Sequence, residues 1–183
     1  MSLHRRQVVD ALLKGREDLL VIAGLGSTAW DITAAGDSPL SFPMWGAMGQ
    51  AAMMGLGLAL AQPQRRVLVI TGDGEMLMGL GALATIGVQQ PHNLGIVVID
   101  NERYGETGMQ ATHTASGIDL SGVAKACGLK VCAWDAILRG AGPAFAVAKV
   151  LAEKIPLVLP PREGALLKAR FRRALLGPDA DAL

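Results

Sequence analysis

The stretch VLVITGDGE, residues 67–75, is the clearest structural signal in the chain. Its first five residues, 67–71, form the continuous apolar and β-branched run that is typical of a strand buried on both faces of a parallel sheet. The triplet Gly72-Asp73-Gly74 follows without a spacer, and residues 75–90 form a mostly apolar segment that we interpret as a helix. This stretch therefore predicts a strand, a glycine turn and a helix in direct succession.

The same alternation continues on both sides of this stretch. Short apolar runs predict strands at residues 19–23 and 95–99, and weaker patterns predict strands at 129–134 and 155–159. Helices are expected at residues 3–13, 28–35, 46–61, 119–128, 143–153 and 165–176. Strands that alternate with helices predict an α/β protein with a three-layer α/β/α architecture and a mostly parallel sheet. Ligands of such sheets bind at the carboxyl ends of the strands.

Length and composition narrow the class of protein. A chain of 183 residues is expected to form one domain, residues 1–183, with a sizeable core. It is 51% hydrophobic and 18% charged, and its net charge of +1 lacks the basic excess of a general nucleic-acid binder. Two cysteines, Cys127 and Cys132, cannot by themselves form a four-thiolate zinc or iron–sulfur site, and they argue against a disulfide-stapled secreted scaffold.

The longest apolar stretch, residues 46–61, is interpreted as a buried helix rather than a membrane span. It contains Gln50 and several glycines, and a span needs about 20 predominantly apolar residues. Ala51, Gly55 and Ala59 recur every four residues, which predicts one smooth helix face for close packing. No apolar segment follows residues 1–7, so no signal peptide is expected. We therefore expect a soluble, cytoplasmic protein without membrane or nucleic-acid partners.

The triplet Gly72-Asp73-Gly74 carries the first chemical signal. Its glycines allow a ligand to approach the backbone, and the following helix offers free N–H groups to a phosphate. Asp73 would repel that phosphate unless a cation lay between them, and Mg²⁺ binds both carboxylate and phosphate oxygens. By itself the triplet also occurs in ordinary turns. Asn101 ends the next predicted strand, where its amide oxygen and the backbone carbonyl of Arg103 could complete a magnesium shell.

Gly-Asp-Gly, followed after residues 75–99 by Asp-Asn, resembles the cofactor motif of the thiamine diphosphate (thiamine pyrophosphate, TPP) enzyme family. The resemblance covers about residues 19–128. Within that family the chain is most similar to the sulfopyruvate and phosphonopyruvate decarboxylases, in the segments GAMGQAAMMGLGLALAQ (46–62), GDGEMLMGLGALATI (72–86) and IDNERYGETGMQ (99–110). Two positions depart from the family pattern. Asp100 replaces an asparagine, and Glu106 stands in a loop where these decarboxylases more often carry a small residue.

The resemblance implies a role for each matched position. The implied metal ligands are Asp73, Asn101 and the carbonyl of Arg103. The implied cofactor-binding residues are Ser27, Thr28, Gly46, Met48, Gly72, Gly74, Glu75, Tyr104 and Gly105. Among them, Met48 matches the apolar residue that bends thiamine diphosphate, and the Gly46 carbonyl would accept from its 4′-amino group. The candidate catalytic residues are Glu106, Thr107 and His113, although a solvated or interfacial role for His113 stays open.

The resemblance also implies that half of the active site lies elsewhere. In this family a glutamate on a separate pyrimidine-binding domain activates the cofactor, and one domain's length leaves no room for it here. We therefore expect an α-type partner subunit, a homo- or hetero-oligomer, and decarboxylation of a small anionic 2-oxo acid with thiamine diphosphate and Mg²⁺. A non-catalytic cofactor-binding or scaffold subunit and a β subunit of a 2-oxo acid oxidoreductase remain alternatives.

Overall fold

The structure, a computed structural model, describes residues 3–177 and residue 180. The expected domain, residues 1–183, reaches beyond this described part at both ends. The expectation of no signal peptide rests on residues 1–7, and the first two of these lie outside the described residues.

The main sheet has six parallel strands in the order β2-β1-β3-β4-β8-β7. The strands are β1 Leu20–Ala23, β2 Ser41–Pro43, β3 Val67–Gly72, β4 Leu94–Asp100, β7 Lys130–Val131 and β8 Ala144–Lys149. A separate antiparallel pair consists of β5 Arg103–Tyr104 and β6 Gln110–Ala111. The helices are α1 Arg5–Leu13, α2 Ser27–Ala34, α3 Ala51–Ala61, α4 Asp73–Met78, α5 Ala82–Gln89, α6 Leu120–Ala126 and α7 Gly164–Leu176.

Helices cover both faces of this sheet. Because side chains alternate along a strand, β3 sends Val67 and Val69 to one face and Leu68 and Ile70 to the other. The first face packs against α3, α5, α6 and α7, and the second packs against α1 and α2. Both faces exclude water, which explains the unbroken apolar runs of β1, β3 and β4. The predicted three-layer α/β/α architecture is confirmed.

The structure corrects the predicted helix at residues 143–153. This segment forms β8, Ala144–Lys149, which pairs with β4 on one side and β7 on the other. Its sequence, AFAVAK, is rich in alanine, a strong helix former. The sheet overrides that propensity because Phe145 is buried on one face of the strand, and Ala146 and Ala148 are buried together on the other face.

Several further elements differ from the expectations. Residues 155–159 form no regular element, and the strand predicted at 129–134 is shortened to β7. The helix predicted at residues 75–90 is divided into α4 and α5 by a glycine-containing turn, and the helix predicted at 46–61 begins at Ala51. The short edge strand β2 was missed, because its three residues carry too little pattern to predict a strand.

The smooth face of α3 packs directly on the sheet, as the spacing predicted. Ala51, Gly55 and Ala59 are all buried. A Cβ atom added to Gly55 would lie 2.2 Å from Cγ2 of Val69, so the helix approaches β3 as closely as a glycine allows. Within residues 3–177, the helices are too short or too polar to cross a membrane.

Candidate active site

The carboxyl ends of β1, β3 and β4, and the loops that follow them, surround a cavity of about 570 Å³. It is the place at which a parallel sheet of this kind binds ligands. Most of the residues singled out from the sequence line it, namely Ser27, Met48, Gly72, Asp73, Gly74, Glu75, Asn101, Arg103, Tyr104, Gly105, Glu106 and Thr107. The structure therefore brings together segments that lie far apart along the chain.

Asp73 is the buried acidic group at the centre of this site. It begins α4, directly after β3, and its Oδ2 accepts a hydrogen bond from Thr112 Oγ1 at 2.6 Å, while Thr114 Oγ1 lies 3.3 Å from the same oxygen. Burial raises the pKa of Asp73, and the neighbouring Asp100 raises it further, whereas the Thr112 bond and nearby backbone amides lower it. A buried carboxylate keeps its charge most easily when a cation lies beside it.

Asn101 supplies the second oxygen at this edge of the sheet. β4 lies beside β3, with Gly72 in register with Ile99, so the residues that follow the two strands are neighbours. Asn101 Oδ1 accepts a hydrogen bond from the backbone N–H of Arg103 at 2.9 Å, which folds the chain into a tight turn. An amide oxygen has two lone pairs, so this bond leaves Asn101 able to bind a second partner.

The donor set at this site fits Mg²⁺. Asp73, Asn101 and the carbonyl of Arg103 offer only oxygen atoms, and all three residues line the cavity. Within the described part of the chain, no group of three or more histidine, cysteine, aspartate or glutamate side chains could hold a metal ion. Mg²⁺ commonly binds through one or two carboxylates and takes its other ligands from phosphates and water. The sparse set found here therefore suits a magnesium–diphosphate pair.

The Glu75 side chain links the loops around the cavity. It is buried, and its Oε2 accepts a hydrogen bond from Thr71 Oγ1 at 2.8 Å. A Cβ atom on Gly24 would lie 1.6 Å from Oε2, so a side chain at position 24 would displace the Glu75 carboxylate. Burial raises the pKa of Glu75, while Thr71 and the backbone amides of Ala51, Gly49 and Leu25 lower it. No well-aligned hydrogen bond from a described residue reaches Oε1.

At two glycines beside the cavity, the backbone is in close contact with a side chain from another loop. A Cβ atom on Gly74 would lie 2.6 Å from the Tyr104 ring, so the ring packs directly on the glycine turn. Gly26 has a φ of 73° and lies so close to Glu106 that an added Cβ atom would be 2.5 Å from its Oε1. The Glu106 side chain therefore crosses from the loop after β5 to the start of α2.

Three of the predicted site residues lie outside the cavity lining. Thr28 is buried and turns its hydroxyl back to the Gly24 carbonyl at 2.7 Å. Gly46 is exposed, in the loop before α3, and the His113 ring is exposed and 3.3 Å from the Tyr104 hydroxyl. Their proposed contacts with cofactor or substrate remain predictions, because the residues themselves are not brought to the cavity wall.

Several residues of the site were not predicted from the sequence. Thr112 and Thr114 flank His113, but nothing in the sequence distinguished their hydroxyls as partners of Asp73. The cavity wall also includes Arg5 and a segment that follows β8, represented by Glu153, Lys154, Ile155 and Leu157. That segment has no local pattern that marks it as part of a site, and it reaches the cavity only through the packing of the chain.

Arg5 anchors the start of α2 below the cavity. Its Nη1 donates to Asp31 Oδ2 at 2.6 Å and to the Ser27 carbonyl at 3.2 Å, and both members of the ion pair are buried. Arg6 donates to the second oxygen of Asp31 at 3.2 Å. A buried carboxylate with two arginine partners fixes α1 against α2, and with it the position of Ser27 at the cavity wall.

The family model and the curated relatives that match this chain agree on one family. Residues 26–159 match the model of the thiamine pyrophosphate enzyme, C-terminal TPP binding domain. The chain is 43% identical over 152 residues to sulfopyruvate decarboxylase subunit beta of Methanothermobacter thermautotrophicus, which covers 80% of this chain and 81% of that protein. It is 44% identical over 113 residues to phosphonopyruvate decarboxylase of Streptomyces viridochromogenes, which covers 62% of this chain and 28% of that protein.

Solved structures support the fold. Benzoylformate decarboxylase from Polynucleobacter necessarius superimposes with a TM-score of 0.66 at 21% identity, over 86% of this chain and 35% of that one. A putative thiamin diphosphate-dependent enzyme from Mycobacterium smegmatis gives a TM-score of 0.69 at 21% identity, over 83% of this chain and 32% of that one. The chain thus spans about a third of the length of these structures.

Proposed function

Because this chain belongs to the thiamine pyrophosphate enzyme family, by its match to the C-terminal TPP binding domain, we propose that it is one subunit of a decarboxylase. In this proposal it supplies the diphosphate and Mg²⁺ half of the active site, and an α-type partner subunit supplies the pyrimidine half. The substrate is a small anionic 2-oxo acid of the sulfopyruvate or phosphonopyruvate type. The observation that carries the proposal is that Asp73, which is buried, and Asn101 both line the wall of the same cavity.

The chain's own residues divide the work of holding the cofactor. Asp73, Asn101 and the Arg103 carbonyl would bind Mg²⁺, and Ser27 and the backbone of Gly72, Gly74 and Glu75 would face the diphosphate. Bound thiamine diphosphate supplies an electron sink for the loss of CO₂. Met48 lines the cavity with 57% of its surface exposed, so a bulky apolar side chain stands where the cofactor's rings would rest. Tyr104 and Gly105 extend this wall.

The proposed substrate class rests on the relatives and on the charges around the cavity. Arg103 and Lys154 line the cavity and provide positive charge for an anionic substrate. Glu106 and Thr107 lie on the same loop and are proposed to contact the substrate. The Glu106 carboxylate opposes a sulfonate or phosphonate, so this residue is expected to limit which anionic 2-oxo acid is accepted.

The proposed partner rests on two observations. The relative with 81% coverage is named a beta subunit, which presupposes another chain in that protein. In the present structure, three large apolar side chains at the cavity are unusually exposed, namely Met48 at 57%, Met78 at 52% and Leu157 at 56%. Exposed apolar groups around a cavity are typical of a surface that another protein covers.

Native mass spectrometry of the protein purified from its source cells tests the assembly. We expect a complex that contains a second chain, thiamine diphosphate and Mg²⁺. A homo-oligomer that takes up no thiamine diphosphate, even after cofactor and Mg²⁺ are added, would contradict the proposal and favour the scaffold alternative. Iron–sulfur clusters in the purified complex would instead favour the oxidoreductase alternative.

Substitution of Asp73 separates the catalytic from the scaffold function. Asp73→Ala is expected to abolish Mg²⁺-dependent cofactor binding and partner-dependent turnover of 2-oxo acids. Asp10→Ala is the matched control, because Asp10 is an exposed carboxylate on α1 and lines no part of this cavity. Turnover that survives Asp73→Ala unchanged would show that the site does not take part in catalysis.

A further inference from the structure

The residues assigned to the cofactor leave unexplained an ion pair beside the metal site, in which the carboxylate is buried and the lysine is half exposed. We propose that Asp100 and Lys149 act as one positioning unit, which orients the Asp73 carboxylate and fixes the turn that carries Asn101 and Arg103. The inference rests on the proposed function for its link to Mg²⁺. Neither residue lines the cavity, so they act through their neighbours and are not catalytic residues.

The pair is built by the register of the sheet. Asp100 is the last residue of β4, Lys149 is the last residue of β8, and the two are direct partners in the parallel ladder. Lys149 Nζ lies 2.8 Å from Asp100 Oδ2. The Asp100 side chain is buried, whereas 55% of the Lys149 side chain is exposed. The lysine therefore reaches in from the surface to neutralise a carboxylate that has been removed from water.

Asp100 is connected to Asp73 through two threonines. Asp100 Oδ1 accepts a hydrogen bond from Thr114 Oγ1 at 2.9 Å, and Thr114 Oγ1 lies 2.9 Å from Thr112 Oγ1. Both hydroxyls also contact Asp73 Oδ2. A continuous chain of polar contacts thus runs from Lys149 to Asp73. Because Oδ2 is held from this side, the orientation of the Asp73 carboxylate is set before any metal binds.

The same pair holds the turn that follows β4. The backbone N–H of Glu102 donates to Asp100 Oδ1 at 3.1 Å, and Lys149 Nζ lies 2.7 Å from Glu102 Oε1. Glu102 has a φ of 61°, a left-handed conformation that non-glycine residues seldom adopt. Lys149 and Asp100 therefore hold both the backbone and the side chain of the residue between Asn101 and Arg103.

Charge makes the two residues dependent on each other. An asparagine at position 100 could still accept from Thr114, but its amide N–H₂ would turn toward the Lys149 ammonium if its oxygen kept the Thr114 bond. Removing Lys149 alone would leave Asp100 as an uncompensated buried carboxylate beside Asp73. Replacing both residues at once removes the amide–ammonium contact and the uncompensated carboxylate together. The pair is therefore expected to tolerate a double substitution better than either single one.

A double-mutant cycle tests this dependence, using Asp100→Asn, Lys149→Met and the double variant. The first readout is hydrogen exchange of residues 101–114 in the protein without cofactor. We expect exchange in each single variant to rise by about tenfold, and in the double variant to return to within about threefold of the wild type. Glu102→Gln is the control, because it weakens only the exposed ion pair between Lys149 and Glu102. We expect it to change the exchange rate by less than about twofold.

The second readout is the Mg²⁺ concentration that gives half-maximal binding of thiamine diphosphate. It should rise by about tenfold in the single variants and recover in the double variant. Single variants that exchange like the wild type, or effects that simply multiply in the double variant, would overturn the inference. If Asp100→Asn fails to fold, recovery of folding in the double variant supports the inference, and no recovery overturns it. A wild type that binds no cofactor even in complex with its partner subunit refutes the proposed function, while the exchange readout still decides the positioning unit.

Discussion

Two glycines in α3 provide a sharp test of how the helix packs on the sheet. Gly55 faces β3, and a Cβ atom there would lie 2.2 Å from Cγ2 of Val69. Gly57 lies on the exposed side of the same helix, and a Cβ atom there would meet no atom within 4 Å. Substituting alanine at each position therefore adds the same methyl group to the same helix in two opposite environments.

The expected free energies follow from this geometry. Replacing a mid-helix glycine by alanine stabilises the folded state by about 0.5–1 kcal/mol, and both variants gain this amount. Gly55→Ala must also separate two atoms by more than 1 Å from the 2.2 Å position to reach ordinary contact. Val69 is fully buried between β1 and β4 and cannot yield easily. Such overpacking costs about 1–3 kcal/mol, so Gly55→Ala should be less stable than Gly57→Ala by that difference.

Thermal unfolding of the two variants, at matched protein concentration and without cofactor, measures this difference. In a chain of this size, about 1 kcal/mol corresponds to roughly 2–4 °C in Tm, so the two melting temperatures should differ by about 2–12 °C. Gly57→Ala should melt above the wild type. If Gly55→Ala is as stable as Gly57→Ala, the close approach of α3 to β3 is refuted, and with it the interpretation of the small-residue face.

Three further predictions concern the site, the outer helix and a thiol. Thr112→Val keeps the side-chain shape but removes the 2.6 Å bond to buried Asp73, so urea unfolding should show a loss of about 1.5–3 kcal/mol; an unchanged midpoint would contradict this. Phe171→Ala should cost about 3–5 kcal/mol, because Phe171 is buried on α7 with its ring 5.6 Å from that of Phe42, whereas Leu166→Ala, 55% exposed on the same helix, should cost almost nothing. Burial raises the pKa of Cys132, so in a Cys127→Ser variant its alkylation at pH 8 should be slower than that of a free cysteine and should accelerate with rising pH; equal rates would refute this.

The parts of the fold that could be predicted are those with a strong local pattern. β1, β3 and β4 are apolar runs because both sheet faces are covered, and each is followed by a polar or glycine-rich loop. β8 was mistaken for a helix because its alanines favour a helix locally, and only its two strand partners impose the extended conformation. Propensity is a weak signal wherever tertiary packing decides the conformation.

The candidate site likewise contains residues that could be predicted from the sequence and residues that could not. Asp73 and Asn101 were predicted to be neighbours because successive parallel strands place their carboxyl ends at one edge of the sheet. Thr112, Thr114 and the cavity wall after β8 were not predicted, because loop conformation brings them into place and no spacing encodes it. The substitution at Asp100 was visible in the sequence, but its partner Lys149 could be found only from the strand register.

The layer architecture, the family resemblance and the two oxygen donors of the proposed magnesium site could all be predicted from contiguous segments of the chain. These features rest on contiguous residues whose hydrophobicity and spacing reflect burial directly. Other features exist only in the folded molecule: Lys149 neutralises Asp100, Glu75 lies against Gly24, and residues 153–157 close one side of the cavity. The reason is physical: these contacts join residues that are distant in the chain, and their energies depend on register and burial, which exist only in the folded molecule.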